Sequence, residues 1–345
     1  MQKKLIILLL SVLLPMLGMT QNSTAATFLN LNPSARSAAL GVSFLAVNDD
    51  DISLSFTNPS LINSGLNNDA MLAFVNHFSG ANYGLLGIGK ELKGYGNFVF
   101  GMQYVNYGKF DRYTEDDNHE GSFTASDFMF IVGWGKKLWR DIDMGVSFKP
   151  SLSHYDTYTS LAVAFDIAVS YHSPSTLFST TLIARNIGAQ LYTFAGTTEA
   201  LPFEIAWGMS YKLPKAPFRL YFTATELQRW NLRYDDEYNP TDVVDPFTGE
   251  VIKENVFTGL LDNAFRHAVV GVEFCPSKAF NIRLGYNYRK REEMYGIQSF
   301  NFSGFSYGVG LRVKKFNISY SRNNYHLGQA PNYITITTDL SDYFN

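Results

Sequence analysis

The chain holds a single cysteine, Cys275, in 345 residues, so no disulfide framework within the chain can staple its fold. Charge is sparse as well. Asp, Glu, Lys and Arg make up 17% of the chain, against ~25% in an ordinary soluble domain. The formal net charge is −3, with no concentrated basic surface of the kind that neutralises phosphates, so nucleic acid is not an expected partner. Beyond the N-terminal segment no run of ~18 apolar residues occurs, which excludes a membrane-spanning helix in the mature chain. Catalytic signatures are missing too. There is no His-Glu-x-x-His pair or Cys-x-x-Cys spacing, and the one Gly-x-Ser-x-Gly match, Gly304 to Gly308, falls in an alternating strand segment and not at a strand-to-helix elbow. The sequence therefore nominates no catalytic, cofactor-binding or metal-ligating residue, and an enzyme is not expected.

The first residues carry the clearest address. Lys3 and Lys4 precede an almost unbroken apolar run from Leu5 to Leu17, and Gly18 and Thr20 place small residues before Gln21. This is the layout of a secretory signal peptide over residues 1–20, with cleavage near Ala25 as the alternative. Its removal takes the formal charge from −3 to −5. An exported chain without a spanning helix is either soluble or crosses a membrane as a closed β-barrel.

What is abundant favours the barrel. The chain has 21 Tyr, 28 Phe and 27 Gly, a composition suited to a lipid-facing surface with aromatic girdles. Period-two alternation recurs from residue 69. Near the C-terminus Phe305, Tyr307, Val309, Leu311 and Val313 fall on one face, and Ser306, Gly308, Gly310 and Arg312 on the other. Phe280 to Tyr288 and Met144 to Phe148 repeat the pattern. About fourteen such segments follow, most near the ~9–11 residues that cross a bilayer. Short turns at 93–95, 139–141, 172–175, 214–216, 276–278 and 314–315 alternate with longer loops at 107–121, 188–200, 230–264, 290–301 and 324–330. The 79–82 link breaks the parity and 154–156 is only weakly long. The expected fold is all-β, a transmembrane antiparallel barrel over 69–345 with short turns periplasmic and long loops outward. Residues 21–68 are expected to plug its lumen, with a periplasmic arm as the alternative.

Several local features have bland readings that outweigh the sharp ones. Gly84 to Lys90 imitates a phosphate loop, but Glu91 stands where Ser or Thr would hold magnesium, and the segment reads as a strand. Asp49, Asp50 and Asp51, and the cluster Asp116, Asp117, Asn118 and Glu120, lack a glycine-hinged calcium loop. Loop or amide-capping roles fit them better. The Asp235–Glu250 run reads as an acidic external loop. His77, His119, His154, His172, His267 and His326 are scattered without ligand spacing. Trp134, Trp139 and Trp230 with Tyr234 suit interfacial anchors. Lys149, Glu273, Arg283, Arg289 and Arg312 are expected to face the lumen and pair with acidic plug residues, with the lining of a water-filled pore as the alternative. Phe344 resembles a C-terminal aromatic insertion signal.

A family resemblance gathers these features. Phe28-Leu-Asn-Leu-Asn-Pro-Ser-Ala-Arg-Ser-Ala-Ala-Leu-Gly41, then Asp49-Asp-Asp and Asn58-Pro-Ser-Leu-Ile62, resemble the PorQ family of type IX secretion system outer-membrane proteins. So do Gln103 to Phe110, Leu201-Pro-Phe-Glu-Ile205, Arg266 to Lys278, Arg283 to Tyr288, and Val313 to Tyr320 continuing to Tyr325, His326 and Leu327. The family belongs with FadL-like barrels of fourteen strands and an N-terminal hatch, and Asn58-Pro59 is similar to an Asn-Pro element of that hatch. The resemblance implies a non-enzymatic attachment-complex role. In it the barrel anchors a PorZ-like surface partner beside PorU and PorV, within outer-membrane lipid, and no catalytic residue carries over. The alternative implied by the wider group is transport of hydrophobic molecules.

Overall fold

The computed structural model describes residues 24–194, 196–233, 243–244, 251–252, 255–293, 302–324 and 330–343. The signal peptide, Phe344, Tyr234, Tyr325, His326 and most of the acidic run lie outside the described residues. Fourteen strands close into one antiparallel barrel. In chain order they are β1 (Asp69–Asn76), β2 (Asn82–Leu92), β3 (Gly96–Tyr113), β4 (His119–Trp139), β5 (Ile142–Tyr155), β6 (Tyr158–His172), β7 (Phe178–Tyr192), β8 (Glu204–Lys212) and β9 (Phe218–Ala224). After a small ribbon of β10 (Val243–Val244) and β11 (Val251–Ile252) come β12 (Ala268–Phe274), β13 (Phe280–Asn287), β14 (Phe305–Val313), β15 (Phe316–Asn323) and β16 (Asn332–Asp339). Each strand pairs with its sequence neighbour, β9 pairs with β12, and β1 closes the ring on β16 over eight residue pairs.

The pleat decides between a soluble sandwich and a membrane barrel. Leu72, Phe74, Leu86, Phe130, Leu182, Leu284, Phe305 and Leu311 are exposed on the outside, while Ser306, Ser321, Ser147 and Ser170 are buried inside. Large apolar side chains outside and small polar ones inside invert a soluble protein, and lipid is the solvent that makes the inversion favourable. Tyr95 and Trp139 stand exposed at the short-turn rim.

The short turns share the rim with Asp69 and Asp339, as alternation predicts. The other rim differs in detail. The 107–121 loop is mostly strand, because β3 and β4 stay paired to Tyr113 and His119. The ring pair Phe110–Phe123, 5.4 Å apart, carries the alternation beyond the bilayer. Likewise β7 runs on to Tyr192 in the expected 188–200 loop. The 154–156 link is a tight turn, since β5 and β6 pair to Tyr155 and Tyr158. Two helices were not legible. α3 (Val256–His267), capped by the Asn255 side chain on Phe257 N, takes the end of the 230–264 loop and delays the next strand to Ala268. α4 (Tyr288–Glu293) ends β13 early.

Residues 24–68 lie inside the barrel. They form a 3-10 turn (Thr27–Asn30), α1 (Ala35–Ala39), α2 (Ile52–Ser55) and two further 3-10 turns (Pro59–Leu61 and Ser64–Leu66). α1 contains only small side chains besides Arg36, so its backbone approaches β13 to β16 closely. Asp51 caps α2 by accepting Ser53 N–H at 3.0 Å. Asn58 caps the Pro59 turn by accepting Ser60 N–H at 3.2 Å, and its amide donates to Leu45 O at 2.9 Å.

The wall carries the imprint of this plug in its glycines. A Cβ at Gly145 would lie 2.0 Å from Pro59 O, at Gly285 2.3 Å from the Leu40 carbonyl carbon, and at Gly87 2.2 Å from the Phe56 ring. Gly145→Val should therefore expel or strain the Pro59 turn, at a cost of about 1–3 kcal/mol. The check is the temperature at which the folded, fast-migrating barrel band is lost on semi-native electrophoresis. An unchanged midpoint, with residues 24–68 still protease-resistant, would count against this packing.

Candidate functional site

The plug separates two polar vestibules, and the charges beside it form the candidate site. Arg36 on α1 is the centre. Its guanidinium meets Asp49 at 2.8 Å, Asp51 at 3.0 Å and, across the lumen, Glu273 of β12 at 3.1 Å. Arg219 of β9 reaches Asp49 at 2.9 Å, Arg283 of β13 reaches Glu273 at 2.8 Å, and Tyr221 Oη donates to Glu273 at 2.9 Å. Three guanidinium groups thus balance three carboxylates, with plug and wall supplying both signs. Buried pairs of this kind do little for net stability because desolvation offsets the attraction, but stranding one partner costs about 3–5 kcal/mol. They fix where the plug sits.

A second contact holds the plug's first turn. Lys149 of β5 meets Asp166 of β6 at 2.7 Å and donates to Asn186 Oδ1 at 2.6 Å. The Asn186 amide donates in turn to Asn30 of the plug at 2.7 Å and to Pro202 O at 2.9 Å. Asn186 has φ 55° at a bulge where the β6–β7 register shifts, and Asn tolerates that left-handed backbone. Beside it Arg185 pairs with Glu204 at 3.1 Å.

The vestibule at the short-turn rim, expected to be periplasmic, has a volume of about 560 Å³ and is lined by Asp49, Asp50, Lys212, Arg219, Lys278 and Arg312 among others. The outer one, about 340 Å³, has Leu31, Ala38, Val42, Tyr83 and Tyr333 among its apolar lining and Arg185, Glu204, Glu226, Arg289 and Glu293 among its charged lining. Each is half open.

Of the residues expected in the lumen, Lys149, Glu273 and Arg283 are buried there, and Arg312 faces the periplasmic vestibule. Arg289 is on α4, not on a strand, and pairs with Glu226 at 3.5 Å and Glu293 at 2.6 Å at the outer mouth. None of the expected basic residues pairs with a plug carboxylate, because Lys149 and Arg283 find theirs on the wall, in Asp166 and Glu273. The plug is paired instead through wall Arg219 to plug Asp49 and plug Arg36 to wall Glu273. Arg36, Arg219, Arg185 and Asn186 were not singled out from sequence. A lone arginine among Ser and Ala, thirteen residues before an aspartate triplet, was the available signal for the first. The aspartates act as a cap and as ion-pair partners.

The histidines are dispersed. His77 lines the outer vestibule, and His267 contacts Thr225 O at 2.6 Å and Trp230 O at 3.0 Å. His172, the last residue of β6, does meet two groups the sequence did not connect: Ser179 Oγ at 3.0 Å and Asp143 at 3.5 Å. Ser179 and His172 are buried and line neither vestibule. The pair lacks an approach for substrate and ties adjacent strands together instead. The Gly84–Lys90 segment is part of β2, so it precedes no helix.

No protein-family model matches the chain, and no curated protein matches it. Among solved structures, the toluene transporter TodX of Pseudomonas putida is similar over 89% of this chain and 97% of its own, with 10% identity and a TM-score of 0.52. A Pseudomonas aeruginosa FadL homologue covers 89% and 98% at 10% identity with a TM-score of 0.47. The monoaromatic hydrocarbon channel CymD covers 91% and 99% at 9% identity with a TM-score of 0.48. The likeness is one of fold. With its lipid-facing belt, the closed fourteen-strand barrel shares the fold of the TodX transporter.

The charge cluster sets a pH dependence. Burial alone would push the Asp49 carboxyl up, but Arg36 and Arg219 beside it hold it below the ordinary carboxylate range. A depressed native pKa gives stability that is present above the unfolded value and lost as pH falls through the native one. The plug should therefore be protected from protease at neutral pH and become accessible as the pH falls below about 4. Arg36→Met should produce the same accessibility at pH 7. If both treatments leave digestion of the plug unchanged, the charges do not hold it.

Proposed function

We propose that the chain is a plugged, non-enzymatic outer-membrane channel of FadL-like kind. Its cargo is a small amphipathic molecule that enters the outer vestibule and leaves through the periplasmic one. The observation that carries this reading is the placement of two vestibules on opposite sides of a plug that is bolted by ion pairs. Apolar residues (Leu31, Val42, Tyr83, Tyr333) and charged ones (Arg185, Arg289) share the outer vestibule, which suits a molecule with an apolar body and a polar end. The TodX-like fold supports it, since that protein is a toluene transporter.

A second reading follows from the resemblance to the PorQ family: a structural barrel of the type IX secretion attachment complex. It would anchor a PorZ-like surface protein near PorU and PorV. The same plug favours it from the other side, because a lumen filled between Gly87, Gly145 and Gly285 makes the barrel a rigid platform.

The two readings separate experimentally. Reconstituted in vesicles, a channel should admit small aromatic acids, and Arg36→Met should raise the uptake several-fold. Uptake equal to that of protein-free vesicles for both proteins would end the channel reading. A platform should bring down a PorZ-like protein from its native membrane, and its deletion should release surface cargo into the medium. Purification without secretion components, with cargo still attached in the deletion strain, would end that one.

A further inference from the structure

On the extracellular side α3 is turned inside out relative to a soluble surface helix. Its polar face is tied to the barrel mouth. Asp262 receives Arg233 at 3.1 Å and the Tyr288 hydroxyl at 2.8 Å from outside the helix, and pairs with Arg266 within it at 2.8 Å. Asn263 Oδ1 accepts Leu232 N–H at 2.9 Å, its amide donates to Trp230 O, and His267 sits between Thr225 O and Trp230 O. These contacts fix the rotation of the helix. The opposite face carries Val256 at 88% exposure, Phe257 at 65%, Leu260 at 51%, Leu261 at 41% and Phe265 at 56%. The spacing gives one continuous apolar sector, and a sector of this kind on a protein surface needs a cover.

The surface beside the helix narrows the choice of cover. Ile282, Leu284 and Tyr286 are successive outward positions of β13 in the lipid-facing belt, and Tyr286 packs on Phe305 of β14 with ring centroids 4.8 Å apart. Tyr288, two residues further, meets the Phe265 ring of α3 at 5.8 Å, and Phe302 meets Phe305 at 6.5 Å. Tyr288 follows the outward Tyr286 by two residues and holds Phe265, so the helix is seated directly beyond the outward positions of β13 and its apolar sector adjoins the lipid-facing belt.

We infer that α3 is an interfacial helix, with Val256, Phe257, Leu260 and Phe265 seated in the acyl-chain boundary of the outer leaflet and membrane lipid as their occupant. A helix with a large apolar sector and a separate polar face lies in the plane of the interface in this way. The interaction widens the lipid contact of the barrel on the β12–β14 side and leaves the outer vestibule uncovered.

The test uses the full chain in a Cys275→Ser background, with Leu260→Cys carrying an environment-sensitive fluorophore and Glu115→Cys, on the exposed β3–β4 tip, as the water reference. In phosphatidylcholine vesicles the Leu260 label should emit further to the blue than the Glu115 label. It should lose emission when the acyl chains are brominated, and resist an aqueous quencher that extinguishes the reference. Phe257→Asp should restore aqueous quenching at Leu260 while the barrel still migrates as a folded band. A Leu260 label that quenches in water like Glu115 and ignores brominated chains would overturn the inference. So would a label that is shielded only in native membranes holding a protein partner.

Discussion

The structure depends on one constraint: a barrel that satisfies every backbone group in lipid must close, and closure at fourteen strands encloses more space than wall side chains fill. Residues 24–68 occupy that space. The requirement explains features that otherwise look unrelated. Inward glycines give room where the plug backbone touches the wall, small residues in α1 allow that approach, and inward charges answer those that the plug carries. Arg36 joins the three, because it leaves a helix of small residues to reach Glu273 on the wall.

Charge suits this task better than apolar packing would. The apolar contacts of Phe28, Leu29, Ile52 and Phe56 with Met71, Leu85 and Val99 supply burial, yet burial is non-directional and tolerates sliding. Guanidinium–carboxylate pairs are directional, and a displaced plug would leave several of them unmet in a poorly solvated lumen. A plug held so is well registered without being irreversibly bound. That property serves a gated channel and a rigid platform equally, which is why the lumen alone supports both functional readings.

The legible part of the fold was the part with a local period. Alternation gives a strand wherever one face meets lipid, so the count of fourteen and the short-turn rim were readable. Strand ends were less so at the outer rim. β3 and β4 continue past the bilayer, where Lys109, Asp111 and Arg112 interrupt the apolar face without ending the ladder. α3 was obscured by the polar, acidic residues before it, although Asn255 and the spacing of Val256, Leu260 and Phe257 were a helix signal in their own right. The candidate site was readable as a class but not as pairs. Arg283 and Arg312 alternate identically, yet only Arg283 stands in register with Glu273. Register is a property of the assembled sheet, and no single segment encodes it.

Glycine shows the same limit and also how far it can be pushed. The 27 glycines first read as a compositional mark of a barrel, but they divide into two physical kinds. Gly94 and Gly121 have positive φ with nothing near a would-be Cβ, and they serve turns and strand irregularities. Gly87, Gly145 and Gly285 lie in extended strands, where any side chain would collide with the plug. A glycine at an inward strand position, where the backbone needs no special freedom, therefore reports an object on the other side of the wall. In this chain several such positions point to the same N-terminal segment, so the wall itself encodes that the lumen is occupied.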